Sequence, residues 1–378
     1  MEIHESLVYG LGITMLEQIG PARAKQLIAH CGSMEQVFTL PRSALEEIPV
    51  LRPALIELIL NQRKRVLEQA RWELDRLQAM NAQCVLIDDL HYPQRLKECD
   101  DSPIVLYYKG QVDFNPARVV SVVGTRRATS YGRYFCEQLM EAFAPLGVTI
   151  ISGLAFGIDG HAHRAALERG LPTQACVAHG LHTVYPSEHA GLAKDMQTNG
   201  GLVSEFTTTQ RMCAELFPMR NRLIAGMSDA TVVVESDLKG GSMITAYLAH
   251  SYHREVFALP GRINERSSAG CNALIQRQVA HMVTEPGSII DTMNWSKSSH
   301  DQGTQLQLFQ QLSDVQQKIT GVFNGEDAVS VDQLIVRTGF NPSVIASELL
   351  AMEFSGLVRS KPGNRFELLH RSRFQALL

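Results

Sequence analysis

No stretch of the 378 residues approaches the ~20 consecutive apolar residues that a bilayer-spanning helix needs. The start, Met1-Glu2-Ile3-His4-Glu5, is acidic and polar, unlike a secretory leader. Seven cysteines (Cys31, Cys84, Cys99, Cys136, Cys176, Cys213, Cys271) include no C-x-x-C pair, and their number is odd. That argues against a disulfide framework or a zinc site and for reduced thiols in a cytosol. Walker A, G-x-S-x-G, H-E-x-x-H and G-x-G-x-x-G motifs are all missing. There is no global excess of basic charge: the net charge is -4, so any contact with nucleic acid has to come from a local patch. We therefore expect no membrane segment, no metal and no cofactor.

What is present is an ordinary globular composition, 45% hydrophobic and 20% charged, with room for two or three domains. Residues 1–81 read as helical, with apolar positions at helical spacing from Leu7 and a long amphipathic run through Leu60 and Met80. Residues 82–295 change period. Short β-branched runs at 118–123, 148–152, 173–178, 202–206, 231–235 and 255–259 alternate with amphipathic segments. That alternation predicts a parallel sheet covered by helices on both faces. Residues 296–310 are polar and read as a linker, and residues 311–378 as a compact unit of two or three helices and a hairpin.

Several loops carry chemistry. Ile19-Gly20-Pro21-Ala22-Arg23-Ala24-Lys25 lies between two apolar stretches and resembles a helix-hairpin-helix, whose turn N–H groups can hold a DNA phosphate. The same pattern also serves as a plain helical packing unit. A stronger signal is the strand Val119–Val123 running into Gly124-Thr125-Arg126-Arg127, with a helix following through Phe135, Leu139 and Phe143. A glycine turn between strand and helix N-terminus makes an anion site at the edge where α/β sheets bind ligands, and two arginines add charge. The alternative is that one arginine pairs with a carboxylate.

Two more loops are expected at that edge: Ser152-Gly153-Leu154-Ala155-Phe156-Gly157 and Lys239-Gly240-Gly241-Ser242, the latter with Ser242 as helix N-cap. In Phe217-Pro218-Met219-Arg220-Asn221-Arg222 the two arginines stand at i and i+2 and face different ways. Arg220 is assigned to the ligand, and Arg222 to a core acid such as Asp229 or Glu235. Asp159-Gly160-His161-Ala162-His163 does not have metal-ligand spacing; Asp159 is read as a helix N-cap. In the C-terminal unit, helices begin at Val331 and Pro342, and two strands flank Lys361-Pro362-Gly363-Asn364, the pattern of a winged helix. Its basic residues (Arg359, Lys361, Arg365, Arg371, Arg373) suit DNA contact, while protein contact is an equal alternative.

These motifs together resemble the DNA processing protein A (DprA, Smf) family over almost the whole chain. The carrying segments are Val123-Gly124-Thr125-Arg126-Arg127, Ser152-Gly153-Leu154-Ala155 with Gly157-Ile158-Asp159, Tyr185-Pro186, Leu202-Val203-Ser204-Glu205, Phe217-Pro218 with Arg220-Asn221-Arg222, Gly240-Gly241-Ser242, and Leu259-Pro260-Gly261 with Gly270 and Asn272. The resemblance implies an α/β fold: a Rossmann-like doubly wound parallel sheet core, an N-terminal helical helix-hairpin-helix or SAM-like domain and a C-terminal winged-helix domain. It implies a protein that binds and protects incoming single-stranded DNA, forms a homodimer through its core, and loads RecA recombinase in natural transformation.

By position, Arg126 matches the family's DNA-contacting arginine and Gly240-Gly241-Ser242 its phosphate loop. The expected DNA-binding set is Gly124, Thr125, Arg126, Arg127, Ser152, Gly153, Arg211, Arg220, Asn221, Gly240, Gly241 and Ser242, with no catalytic residue. One departure is Thr209-Gln210-Arg211-Met212-Cys213-Ala214-Glu215, where relatives often carry a lysine; Arg211 is the replacement to be tested. The main alternative is a nucleotide-binding or nucleotide-hydrolysing enzyme of the lysine-decarboxylase-like Rossmann group. Against it, no carboxylate follows Gly240-Gly241-Ser242 in Met243-Ile244-Thr245-Ala246-Tyr247 to act as acid or base. A third class is a scaffold whose crevice binds nothing.

Overall fold

A computed structural model describes residues 5–48, 51–295, 312–323 and 328–369. The polar linker and the basic residues Arg371 and Arg373 lie outside the described residues. Two compact units result, Met1–Met293 and Asn294–Leu378. Among the described residues no helix is long and apolar enough to cross a membrane.

The first unit opens with α1 (Glu5–Thr14), α2 (Pro21–Cys31), α3 (Met34–Thr39), α4 (Arg42–Glu46) and α5 (Pro53–Ala79). Pro21 and Pro53 stand in the first turns of α2 and α5, where a missing N–H removes no helical hydrogen bond. These helices are packed onto the sheet of the same unit. Val8, Leu11, Leu27 and Leu77 share one apolar cluster with Tyr107, Val177 and Leu181 of the sheet layer. Lys25 donates to Cys99 O (3.1 Å), Asp100 O (2.7 Å) and Ser102 Oγ (2.7 Å), and Arg23 to Gln18 O (3.0 Å). Both cations of the helix-hairpin-helix-like turn are thus engaged by the protein itself.

The core then runs β1 (Gln83–Leu86), α6 (Gln94–Lys97), β2 (Val105–Gly110), β3 (Val119–Val123), α7 (Ser130–Phe143), β4 (Thr149–Ser152), α8 (Ile158–Glu168), β5 (Thr173–Cys176) and α9 (Ala190–Met196). It continues with β6 (Gly200–Ser204), α10 (Leu216–Gly226), β7 (Ala230–Val233), α11 (Gly241–Ser251), β8 (Glu255–Ala258), α12 (Arg266–Gln276), β9 (His281–Met282) and α13 (Pro286–Thr292). The nine strands form one sheet in the order β1-β2-β6-β5-β4-β3-β7-β8-β9. From β6 to β9 all pairings are parallel, and β3, β4, β5 and β7 are buried along their whole length. A parallel sheet with both faces covered buries every position of its central strands. Two strands that the sequence pattern does not announce, β1 and β2, extend this sheet antiparallel beyond β6.

The second unit comprises α14 (Asp314–Val322), β10 (Val329–Ser330), α15 (Val331–Thr338), α16 (Pro342–Phe354), β11 (Val358–Lys361) and β12 (Arg365–Leu368). Ser330 and Gln333 cap α15 reciprocally, Gly339 ends it in the left-handed region, and Asn341 caps α16. The helices close over a three-stranded antiparallel sheet ordered β10-β12-β11, with Ile319, Leu334, Ile345, Leu349 and Met352 in a core of their own. This is the winged helix.

Candidate functional site

Strand β3 is the point where the strand order reverses, with β4, β5 and β6 on one side and β7, β8 and β9 on the other. The loops after β3, β4 and β7 therefore leave the same sheet edge side by side, the place where open α/β sheets bind ligands. They are laced together. Thr125 N–H donates to Glu235 O (2.7 Å) and Ile158 N–H to Thr125 O (3.1 Å). Gly157 permits this: its φ is +78°, and a Cβ there would stand 2.2 Å from Thr125 O.

Between the loops after β3, β4 and β5 and the start of α10 lies a small cleft lined by Arg126, Gly153, Phe156, Tyr185, Phe217 and Arg220, among others. The exposed Arg126 guanidinium carbon sits 5.8 Å from the centroid of the Phe217 ring, and Tyr185 meets that ring edge-on at 5.9 Å. Phe217 was not among the expected site residues. Its signal lies in the Phe-Pro-Met-Arg segment, where the arginines are the more conspicuous candidates.

Arg220 also lines the cleft, but it is 5% exposed and committed to the protein: it donates to Gly153 O (2.6 Å), Cys176 O and Asn221 Oδ1 (3.2 Å). Asp159 lies beside it and accepts from Gly153 N–H (3.2 Å) and Ala155 N–H (3.4 Å). Burial pushes the Asp159 carboxyl up, and Arg220 and these hydrogen bonds pull against it. Burial likewise pushes Arg220 down while Asp159 opposes. The pair is a buried brace that shapes the Gly153 turn, and a Cβ on Gly153 would run into both side chains.

Four expectations need correction. Arg222 pairs with Glu205 and also donates to Asp101 O. Asp229 is taken by Arg95 (2.7 Å) and Val119 N–H (2.9 Å), and Glu235 by Thr129, so neither is available to Arg222. Asp159 is not the N-cap of α8, which is Gly157, because the carboxylate turns back to the Gly153 loop. Ser242 is not the N-cap of α11, which is Gly240; the Ser242 hydroxyl donates to Ser236 Oγ (2.8 Å) inside the first turn. Finally, the N-terminus of α7 does not wait for an anion, since the Glu235 carboxylate already occupies it.

The remaining expected residues divide by role. Ser152 is fully buried and donates to Val122 O (2.6 Å), so it holds β4 to β3. Gly124 makes room for Ile158 and Glu235 O. Thr125 Oγ1 accepts from Arg127 N–H (3.2 Å), shaping the turn that carries both exposed arginines. Asn221 donates to Gly241 O (3.3 Å), tying α10 to the glycine loop. A Cβ on Gly241 would meet nothing within 4 Å, and α11 has no side-chain cap and no acidic residue in its first turn. Arg211 is exposed in the loop between β6 and α10 and is not among the residues lining the cleft. That loop is fixed from the helical segment: buried Glu73 of α5 accepts from Thr208 N–H (2.6 Å) and Thr208 hydroxyl (2.5 Å). His163 is buried against Thr173 Oγ1 (2.7 Å), and burial pushes its pKa down to about 3. Among the described residues, no group of three or more His, Cys, Asp or Glu side chains is placed to hold a metal ion.

Comparison with known proteins adds two family matches: a model described as DNA recombination-mediator protein A covers residues 83–294, and a DprA winged helix domain covers 307–364. Protein Smf of Escherichia coli is 34% identical over 322 residues, 82% of this chain and 85% of that protein. The structure of DNA processing protein A from Streptococcus pneumoniae matches with a TM-score of 0.62 at 29% identity, covering 77% of this chain and 98% of the other. A second, from Helicobacter pylori, described for its single-stranded DNA binding mode, matches with a TM-score of 0.51 at 29% identity over 56% of this chain and 96% of the other.

Proposed function

The chain belongs to the DNA recombination-mediator protein A (DprA, Smf) family, and on that premise we propose that it binds single-stranded DNA in the cleft at the carboxyl edge of β3. One observation carries the reading: Arg126, exposed and without an ion pair among the described residues, stands over the Phe217 ring in the wall of the cleft. An arginine fork grips a phosphate. An aromatic face next to it stacks a base of any identity. The uncapped start of α11 offers N–H groups to a neighbouring phosphate. None of these contacts reads a base edge, so binding is sequence-tolerant.

In this reading residues 82–295 carry the strand, residues 1–81 brace the core, and residues 311–378 are an appendage beyond the linker. The bound strand is protected and passed to RecA recombinase in transformation, and the core forms the homodimer. The protein acts in the cytoplasm. We read it as a binding protein rather than an enzyme, because the described residues lining the cleft include no carboxylate, and Asp159, behind Arg220, is bonded to the backbone of the Gly153 turn. Filter binding with labelled single strands and duplex of equal length tests the reading. Preference for the single strand, with little dependence on sequence, is expected. Equal affinity for both, or retention of neither, overturns it.

A further inference from the structure

We propose that the bound single strand continues out of the cleft over the outer face of α7 and α8, where Arg133, Arg164 and His161 form a second phosphate-contacting patch. This inference rests on the reading of the cleft as a single-strand site.

Four arginines line this direction: Arg126 and Arg127 on the β3–α7 loop, Arg133 in the first turns of α7, and Arg164 in the middle of α8. All four are exposed, and none makes an ion pair or a side-chain hydrogen bond among the described residues. Their neighbours are in use. Arg118 donates to Leu146 O (3.1 Å), and Arg169 pairs with Glu141 (3.6 Å). A row of uncommitted cations on one face concentrates positive potential that a polyanion can neutralise.

Two observations place the patch in one continuous surface with the cleft. Gly157 packs on the backbone of Thr125 and Arg126, so α8 begins against the loop that carries Arg126. The half-buried His161, in the first turn of α8, is pushed down in pKa by burial and then by Arg164 and Arg133, so the two arginines converge on it from two helices. Glu137 is the acid that opposes them there. Arg164 lies about 9 Å along α8 from its first residue, at ~1.5 Å per residue. Tyr134, which follows Arg133 in α7, is 59% exposed and offers an aromatic face. Cations interleaved with an exposed aromatic are the sequence-independent way to hold a single strand.

The full chain carrying Arg133→Ala and Arg164→Ala together is titrated with oligothymidylates of about 6 and about 20 nucleotides, lengths within and beyond the ~4–16 nucleotides that a single-strand site typically covers. Arg126→Ala is measured alongside. The double variant should melt like the parent, bind the short oligomer unchanged, and bind the long one about tenfold more weakly. Its salt dependence on the long oligomer should flatten by about 1.4 log units per log unit, about 0.7 for each lost phosphate contact. Equal losses on both lengths overturn the extension. So does no loss on either length while Arg126→Ala still weakens both, and that result keeps the cleft. If Arg126→Ala weakens neither, the cleft reading fails and the extension with it.

Discussion

The carboxylate of Glu235, at the end of β7, accepts hydrogen bonds from the Thr129 N–H (2.9 Å) and the Thr129 hydroxyl (2.5 Å) at the N-cap of α7. A Cβ on Gly132, one turn in, would stand 2.6 Å from the same carboxylate. The positive end of the α7 dipole is therefore met by an internal anion, 2% exposed, carried on the neighbouring strand. This ties β7 to β3 across the switch point. It also sets a protein carboxylate against the end of α7, where the sequence pattern suggested a ligand anion. On the proposed reading the grip falls to the exposed Arg126 and Arg127 and to the start of α11.

Arg126→Ala should weaken single-strand binding by ~1–3 kcal/mol, the range for a lost charge-assisted hydrogen bond. Its salt slope should fall by about 0.7, one phosphate contact. Arg126→Lys should restore part of the affinity, returning the charge but not the fork. Melting should be unchanged, since the side chain is exposed and makes no ion pair or side-chain hydrogen bond among the described residues. A lower melting temperature with an unchanged salt slope in the folded fraction would give Arg126 a structural role instead.

Two glycines should separate space from function. At Gly124 a Cβ would stand 2.5 Å from Ile158 and 2.9 Å from Glu235 O, so Gly124→Ala should destabilise by ~1–3 kcal/mol through overpacking. Gly241 faces open space, so Gly241→Asp should leave thermal unfolding near that of the parent and an acid in the first helical turn is tolerated. The same acid repels phosphate, and single-strand affinity should drop about tenfold or more. Unchanged affinity in Gly241→Asp would take the glycine loop out of the site.

His163 gives the fold an acid-sensitive limb. Burial pushes its pKa to about 3, below the 6.5 it has when exposed, so the unfolded chain takes up the proton first. The stability it contributes is complete above pH ~6.5 and declines as pH falls toward 3, with a slope of up to ~1.4 kcal/mol per pH unit. Denaturant unfolding of the parent and of His163→Gln between pH 7 and pH 4 checks this. The variant should be weaker at pH 7 and less steeply acid-labile. Parallel pH profiles would show that other groups set the limb.

Truncation after Gln307 should leave single-strand affinity within about threefold of the full chain, because the winged helix closes its own apolar core and the cleft is built entirely from the first unit. Circular dichroism establishes that the truncated protein is folded, and filter binding reads the affinity. A folded truncation that has lost most of its affinity would move the main site to the C-terminal unit.

Much of this was legible in the sequence because the relevant signals are local. The run Val119–Val123, four valines around Ser121, reads as a strand buried on both faces, with the glycine turn behind it at a sheet edge. The winged helix followed from helix starts at Val331 and Pro342 and from the strands flanking Lys361-Pro362-Gly363-Asn364, elements whose ends are set by local caps at Ser330, Gly339 and Asn341. Strands β1 and β2 were not legible. They are short, β1 pairs with β2, and the pairing of β2 to β6 is decided by neighbours about a hundred residues away.

The partners of the charged residues were decided by the tertiary structure alone. That Arg222 takes Glu205, Asp229 takes Arg95, Glu235 caps α7 and Lys25 docks the helical segment depends on which strand ends and helix faces meet, and no spacing along the chain encodes that. The same holds for Phe217. An aromatic in an amphipathic stretch reads as core, and only the packing of α10 against the loop after β3 places its ring under Arg126. Sequence determined which groups could bind a phosphate. Burial, by engaging most of them with one another, determined which were left to do so.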